Sequence, residues 1–186
     1  GLVGSDGETH QGIFDLSFLS SIPNMTVLSP KNRWEMADMI RFAVDFPGPV
    51  AVRYPRGEAY EGMQEFRAPV VYGKSEVLYE EGQIALLFVG HMSSLAEEVR
   101  TELKKEGFGC TLVNARFVKP LDGELLEQLS EGHRLLVTIE ENVLTGGFGS
   151  QVRDFISRTG LPVQVCAVGL PDAYVEHGNA EVLRRE

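Results

Sequence analysis

The sequence predicts an α/β protein, in which a partial α/β domain is followed by a mainly parallel α/β sandwich. Short apolar runs alternate with amphipathic segments of helical period along most of the 186 residues. The runs are almost continuously apolar, which is typical of parallel strands that helices cover on both faces. Apolar residues make up 43% and charged residues 24% of the chain, as in ordinary globular proteins.

The first predicted domain, residues 1–57, contains a strand–helix–strand motif. Residues 26–29 are β-prone, and Ser29 and Pro30 have the sequence of an N-cap followed by the first residue of a helix. A strand over residues 49–54 then completes a right-handed βαβ unit. The residues that recur at helical spacing between the two strands are Trp34, Ala37, Ile40 or Arg41, and Val44.

Residues 58–74 form a predicted linker, because their Glu, Gly and Pro residues follow no sustained period. Residues 75–186 form the second predicted domain, in which strands and helices alternate again. The predicted strands are 83–89, 110–115, 134–140 and 163–168, and the predicted helices are 92–106, 122–130, 149–158 and one that starts near Asn179.

The charge and the length of the apolar runs exclude several classes of partner. The formal net charge of −10 argues against a nucleic-acid or anionic membrane surface, because phosphate groups bind to basic patches. The longest apolar run, residues 84–90, is too short to cross a bilayer. We therefore expect a soluble, cytoplasmic protein with no nucleic-acid partner and no membrane partner.

The two cysteines, Cys110 and Cys166, argue against a disulfide framework, and the absence of a Cys/His cluster at ligand spacing argues against a structural zinc site. The ends indicate a fragment of a longer protein. The chain opens without Met on an apolar tetrapeptide, and residues 181–186 form a helical run that has no stop signal.

The first candidate site is the loop sequence from Asp6 to Gly12, which is D-G-E-T-H-Q-G. Loops that follow parallel strands are where α/β proteins place reactive side chains. His10 titrates near neutral pH and could orient or protonate a carbonyl oxygen, while Asp6 could fix its tautomer. Composition alone favours the alternative, an ordinary turn with a surface histidine.

The second candidate is R-Y-P-R-G at residues 53–57, where a strand ends. A guanidinium at this place suits a phosphate or carboxylate, which it can hold with two hydrogen bonds. Pro55 can release Arg56 into a loop for that purpose. For Arg53 we favour internal salt bridges over a role in binding.

The third candidate joins E-E-N at residues 140–142 to G-G-F-G-S at residues 146–150. A strand, a glycine-rich turn and a helix could cradle a phosphate, but the spacing is neither a P-loop nor GxGxxG. We favour a tight turn that lets helix and sheet pack closely. The histidines assigned no role are His91, His133 and His177.

Several motifs together resemble the 1-deoxy-D-xylulose-5-phosphate synthase family, and the resemblance covers almost the whole chain. D-G-x-T-H-Q-G and R-Y-P-R-G are specific in combination, whereas the later motifs are shared among thiamine-diphosphate enzymes. The matching stretches are residues 6–16, 22–25, 29–30, 52–57, 115–122, 138–142 and 146–147.

The resemblance implies part of a pyrimidine-binding domain followed by a transketolase-type C-terminal domain. It implies a cytoplasmic homodimer that uses thiamine diphosphate and Mg²⁺ to condense pyruvate with D-glyceraldehyde 3-phosphate. The product serves isoprenoid, thiamine and pyridoxal synthesis. By position, His10 matches the active-site histidine, Asp6 the acid beside it, and Arg56 the arginine that holds the acceptor phosphate.

The same resemblance implies that the acid that activates the cofactor and the Mg²⁺-binding element lie upstream of Gly1. We therefore expect this fragment to hold neither cofactor nor metal and to be inactive alone. Two alternatives stay open. One is another thiamine-diphosphate enzyme, either a transketolase or a 2-oxo acid dehydrogenase beta subunit; the other is a non-catalytic dimerisation or interaction module.

Overall fold

The computed structural model describes residues 1–184, except the side chain of Glu181. It contains two sheets, which helices cover. The strands are β1 (Thr26–Leu28), β2 (Val50–Val52), β3 (Glu76–Gly82), β4 (Ile84–Phe88), β5 (Cys110–Asn114), β6 (Phe117–Lys119), β7 (Leu135–Val143) and β8 (Gln164–Leu170). The helices are α1 (Asp15–Ser21), α2 (Arg33–Asp45), α3 (Ser93–Lys105), α4 (Gly123–Gly132), α5 (Phe148–Thr159) and α6 (Ala180–Leu183).

The smaller sheet has the order β2–β1–β6 and joins the two halves of the chain. Strands β1 and β2 are parallel, with Thr26 opposite Val50, which confirms the parallel pair expected of the predicted strand–helix–strand motif. Strand β6 comes from the second half and pairs antiparallel with β1. This pairing was not predicted.

The predicted start of helix α2 at Ser29 and Pro30 is wrong. Asn32 is the N-cap, and its side-chain oxygen accepts a hydrogen bond from the Glu35 N–H at 3.0 Å. The Ser29 hydroxyl instead donates to the carbonyl of Arg53 at 2.7 Å, so it binds the chain that follows β2 and does not cap the helix.

The residues that recur at helical spacing do not form the buried face of α2. Val44 is 78% exposed and Ile40 is 44% exposed, while Glu35 and Met39 are buried. The reason is that the buried face of α2 is polar at its start, where Glu35 pairs with buried cations of other elements. Hydrophobic spacing alone could not show this.

The larger sheet has the order β3–β5–β4–β7–β8, in which β3 alone pairs antiparallel with its neighbour. All four strands predicted for residues 75–186 are present, with shifted ends. Strand β3 was not predicted, and β7 continues to Val143 beyond the predicted end. Residues 53–75 contain neither helix nor strand.

Side chains of alternate β4 residues are buried on opposite faces of the larger sheet, as expected of a parallel sheet that helices cover on both faces. Leu87 belongs to the cluster that contains Val152 and Ile156 of α5. Phe88 belongs to the cluster that contains Ala96 of α3. The sheet is therefore covered by helices on both sides, which confirms the predicted α/β sandwich.

Cys110 is buried, Cys166 is exposed, and neither is in a disulfide. Within residues 1–184, no helix has the length and apolar character that crossing a membrane requires.

Candidate functional site

The loop that we call the reactive loop, residues 2–12, has no helix or strand and is shaped by two tight turns. The Asp6 N–H donates to the carbonyl of Val3 at 2.9 Å, and the His10 N–H donates to the carbonyl of Gly7 at 2.8 Å. These turns place Asp6 and His10 on one short, partly exposed segment.

Asp6 and Arg56 are brought together although 50 residues separate them. Arg56 Nη1 lies 3.0 Å from Asp6 Oδ1, and 66% of the arginine side chain is exposed. The guanidinium therefore keeps donor groups that are free to meet a ligand from solvent. The paired carboxylate holds it at the rim of the reactive loop.

The imidazole of His10 is exposed, and its Nδ1 lies 3.0 Å from the Thr9 hydroxyl. Asp6 contacts Arg56, and in the described part of the chain no hydrogen bond joins Asp6 to the imidazole. That His10 and Arg56 face one pocket is a prediction from the two motifs, and no contact joins the two side chains among the described residues.

Arg56 also lines a cleft of about 1640 Å³ between the two halves of the chain. Tyr54 and Tyr60 lie on the same side as Arg56, while His91 and Glu141 line the side formed by the larger sheet. The residues that line the cleft within positions 1–184 do not include Asp6 or His10.

Arg53 is buried, but the predicted salt bridges are wrong. Its Nη2 donates to the carbonyl of Glu141 at 2.8 Å and to the carbonyl of Gly12 at 3.4 Å. No carboxylate within residues 1–184 forms an ion pair with it. Burial lowers its pKa, while the surrounding carboxylates act in the opposite direction.

His91, to which no role was assigned, lies beside a buried carboxylate. Its Nε2 is 2.8 Å from Glu141 Oε2. Burial lowers the pKa of His91, although Glu141 acts to raise it. No signal for this pair was present in the sequence, because His91 follows β4, Glu141 lies in β7, and only the pairing of these two strands brings them together.

The order of the strands in the larger sheet explains why His91 lies beside Glu141. Strand β5 lies on one side of β4, and β7 lies on the other. The carboxyl ends of strands that flank such a switch point open a crevice where α/β proteins bind ligands. The sequence predicted both strands but not their order.

The glycine-rich turn after β7 does not cradle a phosphate. The Glu140 carboxylate accepts hydrogen bonds from the N–H groups of Phe148 at 2.8 Å and Gly149 at 2.7 Å, so it occupies the amino end of α5. A methyl group on Gly149 would lie 2.6 Å from the Ala167 Cβ. Close packing of helix and sheet, the favoured interpretation, is confirmed.

The described residues do not fit a metal or diphosphate site. Within residues 1–184, no group of three or more His, Cys, Asp or Glu side chains is placed to hold a metal ion. The amino end of α5 is already filled by Glu140, and a second anion there would meet its charge. The part of the chain described here therefore offers no evident anchor for such groups.

Comparison with known proteins gives two matches that together span most of the chain. Residues 1–61 match the family described as "Transketolase, pyrimidine binding domain", and residues 73–186 match "Transketolase, C-terminal domain". The chain belongs to the transketolase family. The predicted fold class, with a partial pyrimidine-binding domain before a transketolase-type C-terminal domain, is confirmed.

Curated relatives of this transketolase-family chain are named 1-deoxy-D-xylulose-5-phosphate synthase. The protein of Lachnoclostridium phytofermentans is 46% identical over the whole chain, and that of Alkaliphilus oremlandii is 43% identical. The chain spans about 30% of the length of each. The resemblance inferred from the motifs is thereby confirmed.

Two solved structures have the same fold. One, titled "Split gene transketolase, inactive beta4 tetramer", is 29% identical with a TM-score of 0.89; the match covers 96% of this chain and 58% of that one. The transketolase of Campylobacter jejuni is 22% identical with a TM-score of 0.74, and the match covers 98% of this chain and 27% of that one. The second likeness concerns the fold alone.

Proposed function

We propose that this chain forms part of a 1-deoxy-D-xylulose-5-phosphate synthase, which condenses pyruvate with D-glyceraldehyde 3-phosphate and releases CO₂. The observation that carries the proposal is the contact of Arg56 with Asp6, which joins the two motifs that are specific in combination. The curated relatives, up to 46% identical, support it.

In the proposed reaction, Arg56 binds the phosphate of the acceptor aldehyde. A guanidinium presents paired donors that match phosphate oxygens, and the exposed part of Arg56 leaves those donors accessible. Asp6 sets the position of the guanidinium by its ion pair. Specificity for a phosphorylated acceptor follows from this pair.

His10 has a different proposed role. Its exposed imidazole donates a hydrogen bond to the oxygen of the pyruvate-derived carbonyl and can pass a proton to that oxygen. The Thr9 hydroxyl at Nδ1 sets its orientation. When bound in the complete enzyme, thiamine diphosphate with Mg²⁺ would supply stabilisation of the carbanion that decarboxylation leaves.

We further propose that these groups are held outside this chain, so the chain alone binds no cofactor and is inactive. Titration calorimetry with thiamine diphosphate and Mg²⁺ should show no heat of binding, and tight Mg²⁺-dependent binding would contradict the proposal. The proposed complete enzyme is a cytoplasmic homodimer that supplies isoprenoid, thiamine and pyridoxal synthesis. One relative of similar fold, a split-gene transketolase, is described as an inactive β₄ tetramer, which supports self-association of such a chain.

The decisive experiment uses the full-length protein that contains this chain. Product formation from pyruvate with glyceraldehyde 3-phosphate is compared with transfer between sugar-phosphate pairs and with acyl transfer from pyruvate. We expect only the first reaction. Activity confined to sugar-phosphate pairs would identify a transketolase, and acyl transfer would identify a 2-oxo acid dehydrogenase beta subunit.

A further inference from the structure

The start and the end of the reactive loop are both attached to Glu141 in β7. The Leu2 N–H donates to Glu141 Oε2 at 2.9 Å. At the other end, Arg53 Nη2 bridges the Gly12 carbonyl at 3.4 Å and the Glu141 carbonyl at 2.8 Å. The loop between these attachments carries the candidate catalytic side chains, although β7 itself carries none.

The chain that leaves the loop is held by the next residues of the same strand. The Val143 N–H donates to the carbonyl of Ile13 at 2.9 Å. The Leu16 N–H donates to Asn142 Oδ1 at 3.1 Å, and Asn142 Nδ2 donates to the Ser17 hydroxyl at 2.9 Å. Three consecutive residues of the second domain thus set the position of the segment that contains the reactive loop.

The Glu141 carboxylate is itself held on three sides. Besides the Leu2 N–H, its Oε2 faces His91 Nε2 at 2.8 Å, and its Oε1 accepts from Arg184 Nε at 2.6 Å. The side chain is 3% exposed. Hydrogen bonds to a charged, buried acceptor are among the stronger ones in proteins, so Leu2 is attached to a nearly immobile point.

We infer that Glu141 is a positioning residue of the proposed reaction: from the second domain, its carboxylate fixes the start of the reactive loop and thereby the placement of Asp6 and His10. This inference rests on the proposed function. It gives the E-E-N motif a task beyond the tight turn that was favoured from the sequence. Displacement of about 1 Å at a catalytic group can reduce the rate roughly 100-fold.

The neighbouring residue Glu140 offers a matched control. It is the same residue type, it is equally buried, and its carboxylate contacts the amino end of α5 and not the reactive loop. Glu140→Gln and Glu141→Gln are both isosteric and each replaces one buried carboxyl group. Only the second removes a charge that contacts the loop.

The experiment compares the two variants in the full-length protein by steady-state kinetics and by hydrogen exchange of peptides that cover residues 2–12. For Glu141→Gln we expect kcat to fall about tenfold or more. Because the neutral amide is a weaker acceptor than the carboxylate and has one acceptor atom fewer, Leu2 is held less tightly and exchange across the loop should be faster. Glu140→Gln should keep kcat within about twofold of the unmodified enzyme and leave exchange in the loop unchanged.

If Glu141→Gln does not fold, Glu141→Asp, which keeps the charge but draws the carboxylate back from the Leu2 N–H, takes its place with the same expected results. A further variant tests the other end of the loop, where Arg53 contacts the main-chain carbonyl of Glu141. Arg53→Lys keeps the charge but is too short to bridge the two carbonyls, so we expect lower kcat and faster exchange near Gly12. The inference is overturned if Glu141→Gln leaves loop exchange unchanged, or if Glu140→Gln loses as much activity. If the unmodified protein forms no product, the proposed function fails, and the exchange data alone decide whether Glu141 holds the loop.

Discussion

Glu140 and Glu141 follow one another on β7, and their carboxylates point to opposite sides of the sheet, where they meet opposite environments. Burial raises the pKa of Glu140 to about 7, although hydrogen bonds from the N–H groups of Gly149 and Phe148 act to lower it. Burial also acts to raise the pKa of Glu141, but His91 and Arg184 lower it to about 2. Two adjacent glutamates therefore make opposite contributions to the pH dependence of stability.

The first prediction concerns Glu140. Because its pKa is higher in the folded state than the ordinary 4.5, the folded state binds the proton more tightly. The associated stability is present below pH 4.5 and is lost as the pH rises to about 7, by an amount on the order of 3 kcal/mol. The glutamine in Glu140→Gln cannot ionise, so the free energy of unfolding of this variant should not fall over this pH range.

Urea denaturation at several pH values between 4.5 and 7.5 measures the effect on the isolated chain. Glu141→Gln is the contrasting variant, because the stability from Glu141 is present above pH 4.5 and is lost as the pH falls towards 2. Glu141→Gln should not change how steeply the free energy of unfolding varies with pH between pH 5 and 7. An unchanged slope in Glu140→Gln would show that another group titrates in that range.

A second prediction concerns the buried charges that join the two domains. Lys31 Nζ lies 3.0 Å from Glu35 and 2.7 Å from Glu76, and Arg116 contacts the same two carboxylates. Lys31→Met leaves two buried carboxylates with one guanidinium. We expect the free energy of unfolding to fall by about 3–5 kcal/mol, because an uncompensated buried charge remains.

The matched control for Lys31 is Arg41, whose pair with Asp38 is exposed. Arg41→Met should change the free energy of unfolding by less than about 1 kcal/mol. Both variants are measured by equilibrium urea denaturation. Equal losses in the two would mean that the buried network contributes no more than a surface ion pair.

Lys31 also shows where prediction from the sequence ends. Strand and helix periods depend on neighbouring residues, so the four parallel strands of the second domain could be predicted from local pattern, whereas β3 and β6 were not. The burial of Lys31 depends on Glu76 and Arg116, which are distant in the chain, and nothing near Lys31 signals them. The pairing of β6 with β1 was missed for the same reason.

The residues of the candidate site also differ in whether local sequence could predict them. Asp6, His10 and Arg56 stand in short motifs whose residue types suggest their chemistry, so they could be proposed from the sequence. His91 and Glu141 have no local motif in common, and only the order of β4 and β7 brings them together. Glu141 was identified from the sequence within the E-E-N motif, but its contacts with His91 and Leu2 could not be predicted.

A third prediction concerns the contact between α5 and the sheet. Gly149→Ala would place a methyl group 2.6 Å from both the Ala167 Cβ and the Thr138 hydroxyl, so the helix must shift. Overpacking of this kind costs about 1–3 kcal/mol in the free energy of unfolding. The control is Gly132→Ala at the end of α4, where nothing lies within 4 Å of the new methyl group.

At Gly132 the substitution should be neutral or should stabilise by up to about 1 kcal/mol, because alanine restricts the unfolded chain. Thermal and urea denaturation of the isolated chain distinguish the two variants. If Gly149→Ala is as stable as Gly132→Ala, the close approach of α5 to β8 is not what requires glycine.

The last prediction concerns Arg56 and rests on the proposed function. In the full-length protein, Arg56→Met removes the guanidinium that is proposed to bind the acceptor phosphate, so KM for glyceraldehyde 3-phosphate should rise about tenfold or more. With glyceraldehyde, which has no phosphate, the variant and the unmodified enzyme should differ by less than about twofold. Arg158→Met on α5, which removes an equally exposed guanidinium far along the chain, is the control. An equal loss with both aldehydes would mean that Arg56 maintains the reactive loop through Asp6 and does not bind phosphate.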